Sequence, residues 1–143
     1  LVQKARDLQL KNIRFLPFQP ASRYPDTLRA ADVMVVTLHP RASLISLPSK
    51  IYKQMAAGRP MLTIAPSGSD LARTVREAGC GIVVEPDDTD GAADALRQMR
   101  TNPSSAEKMG KLARKALEER YSRKSCVDAL DGVVRDVCRQ VSR

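Results

Sequence analysis

The residue types that could do chemistry gather at Ser46, Ser49 and Lys50, the head of a stretch running to Pro60. Pro48 suits a first helical turn, where its missing N–H is no loss, and Ser46 or Ser49 can accept from the open amides there. Gly58 supplies a left-handed stop and Pro60 prevents the helix from continuing. Lys50 is the anomaly. A helix amino end carries roughly half a positive charge, so a cation in the first turn is unfavourable by about 0.3–1 kcal/mol. An anion seated between the amides and the ammonium reverses that sign; a solvated surface lysine is the plain alternative. His39 and Arg41 lie just upstream and could touch a sugar or a phosphate, or simply face water from a loop.

Other chemistries find no support in the spacing. The chain has no Gly-x-Ser-x-Gly elbow, no phosphate loop ending Gly-Lys-Ser/Thr and no Gly-x-Gly-x-x-Gly. A single histidine and three cysteines (Cys80, Cys126, Cys138) lack metal-ligand spacing. Asp87 and Asp88 read as a turn and cap cluster. Ser67, Gly68 and Ser69 read as an ordinary capping turn, because Asp70 follows directly.

The surrounding elements must position that head. Residues 1–9 read as the end of a helix, 13–16 as a short strand closed by Pro17, and 20–25 as a turn-rich connection. A short helix at 26–31 precedes the β-branched run 33–37, which reads as a strand covered on both faces. A loop at 38–45 leads into the Ser46–Pro60 stretch. Strand 61–64, a turn at 66–70 with Ser69 as N-cap, helix 71–78 and strand 82–84 follow. The remainder is helical, about 89–100, 104–119 and 123–141. This alternation predicts one α/β domain over 1–143, a Rossmann-like open parallel sheet with flanking helices, with 104–143 a C-terminal helical segment. Ligands of such sheets bind beyond the carboxyl ends of the strands, here 17–19, 38–40, 65–67 and 85–86.

Composition narrows the partners. Net charge is +8, which favours anions, while aromatic residues are 3% with no Trp, which argues against base stacking and so against nucleic acid. No apolar run approaches the ~20 residues of a membrane span. Unpaired cysteine usage and no signal peptide predict a cytoplasmic protein. Leu1–Leu8 reads as an amphipathic helix without a start methionine, so the chain reads as part of something longer. The basic residues of the last helices (Lys108, Lys111, Arg114, Lys115, Arg120, Arg123, Lys124) read as a solvated face, or as a peripheral contact with the inner face of a membrane carrying a lipid-linked acceptor.

From about residue 10 onward the order of segments resembles the C-terminal, nucleotide-sugar-binding half of family 4 (group 1) glycosyltransferases of the GT-B fold. The resembling runs are 12–16 (NIRFL), 28–33 (LRAADV), 47–52 (LPSKIY), 55–60 (MAAGRP), 79–84 (GCGIVV) and the acidic turn 86–88. The Pro-Ser-Lys variant is most similar to members that build bacterial surface polysaccharides of the colanic-acid type. The resemblance implies retaining transfer of a sugar from a nucleoside diphosphate to a polysaccharide or lipid-linked acceptor, with no bound metal or other cofactor. It implies that Ser49 and Lys50 hold the diphosphate, that Phe18 and Gln19 flank the base, and that an N-terminal acceptor-binding domain is missing from this chain. His39, Arg41 and Ser46 are the further candidates for sugar or phosphate contacts.

The match has a gap. Many family members carry two glutamates eight residues apart around this helix, and the corresponding positions are Ile45 and Lys53. Neither can accept a hydroxyl proton. The family's first two strands and glycine-rich turn also do not precede Leu1, which implies that the chain alone is inactive. A competing expectation is therefore a non-catalytic GT-B-like module that docks onto a partner in polysaccharide assembly.

Overall fold

The computed structural model describes residues 1–43 and 45–141. Leu44, inside the expected 38–45 loop, and residues 142–143, the end of the expected helical segment, lie outside the described residues.

Three parallel strands form the sheet: β1 (Met34–Thr37), β2 (Met61–Ile64) and β3 (Gly81–Val84), in the order β1-β2-β3. Register runs Met34 opposite Met61 opposite Gly81. The ladder continues past the strand ends, with Leu38 N donating to Ile64 O at 2.9 Å and Ala65 N to Val84 O at 3.0 Å. The connecting helices are α1 (Val2–Asp7), α2 (Tyr24–Arg29), α3 (Lys50–Ala57), α4 (Asp70–Ala78) and α5 (Thr89–Thr101). The chain then runs through α6 (Pro103–Arg120) and α7 (Arg123–Val141).

Period-two alternation sends Met34 and Val36, with Met61 on β2, to one face of the sheet, where they meet Ile51 and Met55 of α3. Leu71 and Val75 of α4 and Ala113 and Ala116 of α6 complete this main core. The opposite face is smaller: Leu62 and Val84 pack against Ala95 of α5. Helices thus flank both faces, as expected for an α/β sheet. The expectation that the 33–37 run is covered on both sides fails along most of β1, because α5 packs on β2 and β3 and the cluster it covers reaches only Val33, just before β1. Val35, on that uncovered side, is 48% exposed. An edge strand reads as apolar in sequence yet shows one face to water.

The expected strand at 13–16 is also absent. Ile13, Phe15 and Leu16 are exposed and irregular, and among the described residues no strand lies beside them. An extended run with no neighbour leaves its N–H and C=O groups to water, so an apolar pattern alone does not make it a strand. α2 starts at Tyr24, before the expected 26, because Pro25 fits the first turn of a helix.

Glycines set the closest approaches. Gly58 ends α3 in the left-handed conformation, φ 68°, with its N–H donating to Met55 O at 3.0 Å. Gly110 of α6 lies against that stop: a Cβ on Gly110 would sit 2.3 Å from Gly58 O. Nearby, Arg114 Nη1 donates to Ala56 O at 2.9 Å, satisfying a carbonyl at the α3 carboxyl end.

Cys80 is fully buried in the main core, and burial pushes its thiol from 9.0 up to about 12. It stays protonated at neutral pH and is not a nucleophile.

Gly110→Ala should lower stability by about 1–3 kcal/mol through overpacking, and Gly58→Ala by about 1–2 kcal/mol through left-handed strain. Gly132→Ala on exposed α7, where nothing lies within 4 Å of the new Cβ, should gain about 0.5–1 kcal/mol. Urea titration of the three variants checks the order. For Cys80 the raised thiol makes a contribution that is complete below pH 9.0 and lost as pH rises through about 12. The stability gap between the wild type and Cys80→Ala, constant below that range, should narrow across it in urea melts run at stepped pH.

Candidate functional site

Parallel pairing brings the carboxyl ends of all three strands to one edge of the sheet, so the segments 38–40, 65–67 and 85–86 lie together at the end where parallel α/β sheets bind their ligands. The tip of β2 is held on both sides. Glu85 Oε1 accepts from Ser67 N at 2.9 Å and Arg76 Nη1 donates to Ser67 O at 2.7 Å. Ser69 Oγ caps α4 by accepting from Ala72 N at 3.2 Å, and Asp88 Oδ1 caps α5 by accepting from Gly91 N at 2.8 Å. Both are capping groups, as the spacing predicts.

At the tip of β1, His39 Nδ1 accepts from Arg41 N at 3.2 Å and so starts a one-turn 3₁₀ helix, Pro40–Ala42. The expected loop contains this turn. His39 and Arg41 are therefore brought together and both are exposed; the bond leaves His39 Nε2 as the ring atom free to meet a ligand.

α3 begins at Lys50 after Ser49, and here one local expectation is corrected. Neither Ser46 nor Ser49 caps the helix through its side chain. Instead the first turn closes on itself, with Ile51 N donating to Pro48 O at 3.1 Å and Tyr52 N to Ser49 O at 3.2 Å. Ser49 has helical dihedrals (φ −59°, ψ −19°), which turn its hydroxyl away from the capping geometry of an extended residue. Among the described residues nothing accepts from the amides of Ser49 and Lys50, and no carboxylate lies within ion-pair distance of Lys50. Two open donors and a positive side chain share one helix end.

The middle of α3 is anchored. Gln54 is 8% exposed, and its Nε2 donates to Val35 O at 3.2 Å, tying the helix to β1. Its Oε1 is buried without a partner. Tyr52 stacks at a tilt on Tyr121, ring centroids 5.2 Å apart, and its hydroxyl is held above the ordinary tyrosine range by burial first and then by Tyr121 and Cys126. Lys53, one turn on from Ser49, has Nζ 5.6 Å above the ring of Tyr24. That position faces α2. Ile45 is exposed and makes no core contact.

Phe18 and Gln19 stand apart from this assembly. Phe18 is 99% exposed and Gln19 Nε2 donates only to the nearby Pro17 O at 2.9 Å, in the irregular segment that forms no strand. Of the basic C-terminal residues, Lys111 pairs with Glu107, Arg114 with Glu118, Lys115 with Glu119 and Lys124 with Asp128, all exposed. Among the described residues no three His, Cys, Asp or Glu side chains converge as metal ligands, and no helix is long and apolar enough to cross a membrane. Sequence reasoning missed Glu85, Arg76 and Gln54 as braces. Their partners are main-chain atoms 9 to 19 residues away, which no local pattern signals.

A family model described as "Glycosyl transferases group 1" matches residues 1–116. The chain is 29% identical over 114 residues to a probable glycosyltransferase, WbjE, of Pseudomonas aeruginosa, covering 80% of this chain and 28% of that protein. The solved structure of a sucrose-phosphate synthase from Thermosynechococcus elongatus superposes with a TM-score of 0.78 at 20% identity, over 97% of this chain and 34% of that one. The chain spans about a third or less of the length of either relative.

Proposed function

This chain belongs to the glycosyl transferases of group 1, and from that membership we propose that it is the donor-binding part of an enzyme that moves a sugar from a nucleoside diphosphate to an acceptor. The observation that carries the reading is the amino end of α3, where among the described residues the amides of Ser49 and Lys50 have no acceptor and the Lys50 ammonium no carboxylate partner, at the end of the sheet where the strands finish. As the bond between the sugar's anomeric carbon and the diphosphate oxygen breaks, negative charge grows on the departing diphosphate. Preorganised amides and a cation aimed at that charge stabilise it without reorganising. Such a site needs no metal ion, and binding should persist in a chelator.

Within this reading His39 and Arg41, held together on the β1 tip, face the donor sugar or the distal phosphate, and Ser46 lies on the path to them. Phe18 and Gln19 flank the base through main-chain groups. The finer assignments, a retaining member of family 4 of the colanic-acid type acting on a polysaccharide or lipid-linked acceptor held by an N-terminal domain, rest on the Pro48-Ser49-Lys50 run and the segments around it. A location in the cytoplasm at the membrane's inner face follows from the same acceptor class.

A second reading is favoured by Lys53. It stands where many relatives place a glutamate and is engaged with Tyr24, which suits a module that docks to a partner and binds no donor. The two part on one measurement. Titration calorimetry of the protein with UDP and GDP, in the presence of EDTA, should show saturable binding that Lys50→Ala weakens about tenfold, the worth of one charge-assisted contact. No heat with any nucleoside diphosphate would return the second reading; equal binding by the variant would keep the donor but remove Lys50 from its site.

A further inference from the structure

We propose that the hollow between α2, α3 and α6 binds a small amphipathic phosphate, an apolar body ending in a phosphate monoester. The hollow encloses about 290 Å³, near the lower bound of small-molecule pockets, roughly 300–1,000 Å³. Its floor is apolar: Pro25 and Leu28 from α2, Ala56 and Ala57 from α3, and the ring of Tyr24. Three cationic residues, Arg29, Lys53 and Arg114, line the hollow as well.

These cations differ in what already holds them. Arg29 reaches Asp26 at 2.8 Å and Arg114 reaches Glu118 at 2.5 Å, both exposed pairs of the kind worth about 0–1 kcal/mol. A ligand anion can therefore share or displace them at small cost. Arg114 is also fixed in place by its bond to Ala56 O. Lys53 has only the face of Tyr24, and among the described residues no carboxylate lies within ion-pair distance of it.

The combination selects the ligand. An apolar molecule alone covers the floor and leaves three charges to be dehydrated beside it. A bare phosphate meets the cations and leaves the floor wet. A phosphate monoester carries about −1.5 to −2 charge at pH 7 and three strong acceptor oxygens, so one group can meet Lys53 and also accept from the two guanidiniums that Asp26 and Glu118 hold only weakly, while its apolar substituent covers the alanines and Leu28. Lys50 does not line this hollow, so binding here and binding at the head of α3 are read on different residues.

The test is amide NMR of the isotopically labelled protein titrated with octyl phosphate below its micellar concentration, beside 1-octanol and inorganic phosphate. Saturable shifts centred on Leu28, Lys53, Ala57 and Arg114, with each of the other two probes at least about tenfold weaker, are the expected result. Lys53→Ala should weaken octyl phosphate about three- to tenfold while Lys53→Arg stays within about twofold. Lys53 is exposed, so both variants should fold. The proposal is overturned if octanol binds as tightly as octyl phosphate, if inorganic phosphate does, if Lys53→Ala is silent, or if the shifts centre instead on Ser49 and Lys50.

Discussion

The close approach of Gly110 to the carbonyl of Gly58 is the constraint on which the rest of this structure depends. α3 has only eight residues, Lys50 to Ala57, so its two ends are not independent. Its carboxyl end is set by a left-handed glycine with α6 pressed against it, and its amino end then falls one short helix away, toward the sheet edge where β1 finishes. Buried Ile51 and Met55 hold the helix in rotation about its axis, and Gln54 pins it to Val35. A side chain at Gly110 would push α6 off α3. Ala113 and Ala116, which face the same core from α6, would be displaced with it.

Helix-end electrostatics then divides the basic residues into those already answered and those that are not. Arg114 lies at the carboxyl end of α3, and Arg59 donates to the carbonyl of Arg29 at the end of α2; both sit where the macrodipole favours cations. Many of the remaining cations on α6 and α7 pair with a carboxylate three or four residues away on the same helix. Such pairs are surface features of small energetic weight. Lys50 belongs to neither group. It sits at the wrong end of a dipole, and among the described residues it has no carboxylate in reach and lies beside amides with no acceptor, a local excess of positive charge and donors.

Much of the fold was legible in the chain because its signals are local. Gly58, Pro60, Ser69, Asp88 and Pro103 punctuate helices by their own backbone chemistry, so the boundaries of α3 to α7 follow from them to within a residue or two. β2 is a continuous apolar run that its neighbours bury, and β3 shares the apolar pattern although only Val84 of it is buried. β1 has the same composition yet stands half uncovered, and 13–16 has it without forming a strand at all. Both depend on what lies alongside, and no property of the run itself records that.

By itself, then, the sequence determined the alternation of strands and helices, the left-handed stop at Gly58 and the odd placement of Lys50, because each is written in a residue's own conformational or charge preference. Only the tertiary structure decided that Ser46 and Ser49 do not cap α3, that Glu85 and Arg76 clamp Ser67, and that Lys53 turns toward Tyr24 on another helix. Those outcomes depend on which distant groups the packed core brings within about 3 Å for hydrogen bonds and within about 6 Å for a cation over a ring. Distances of that kind exist only once α2, α3, α6 and the sheet have assembled.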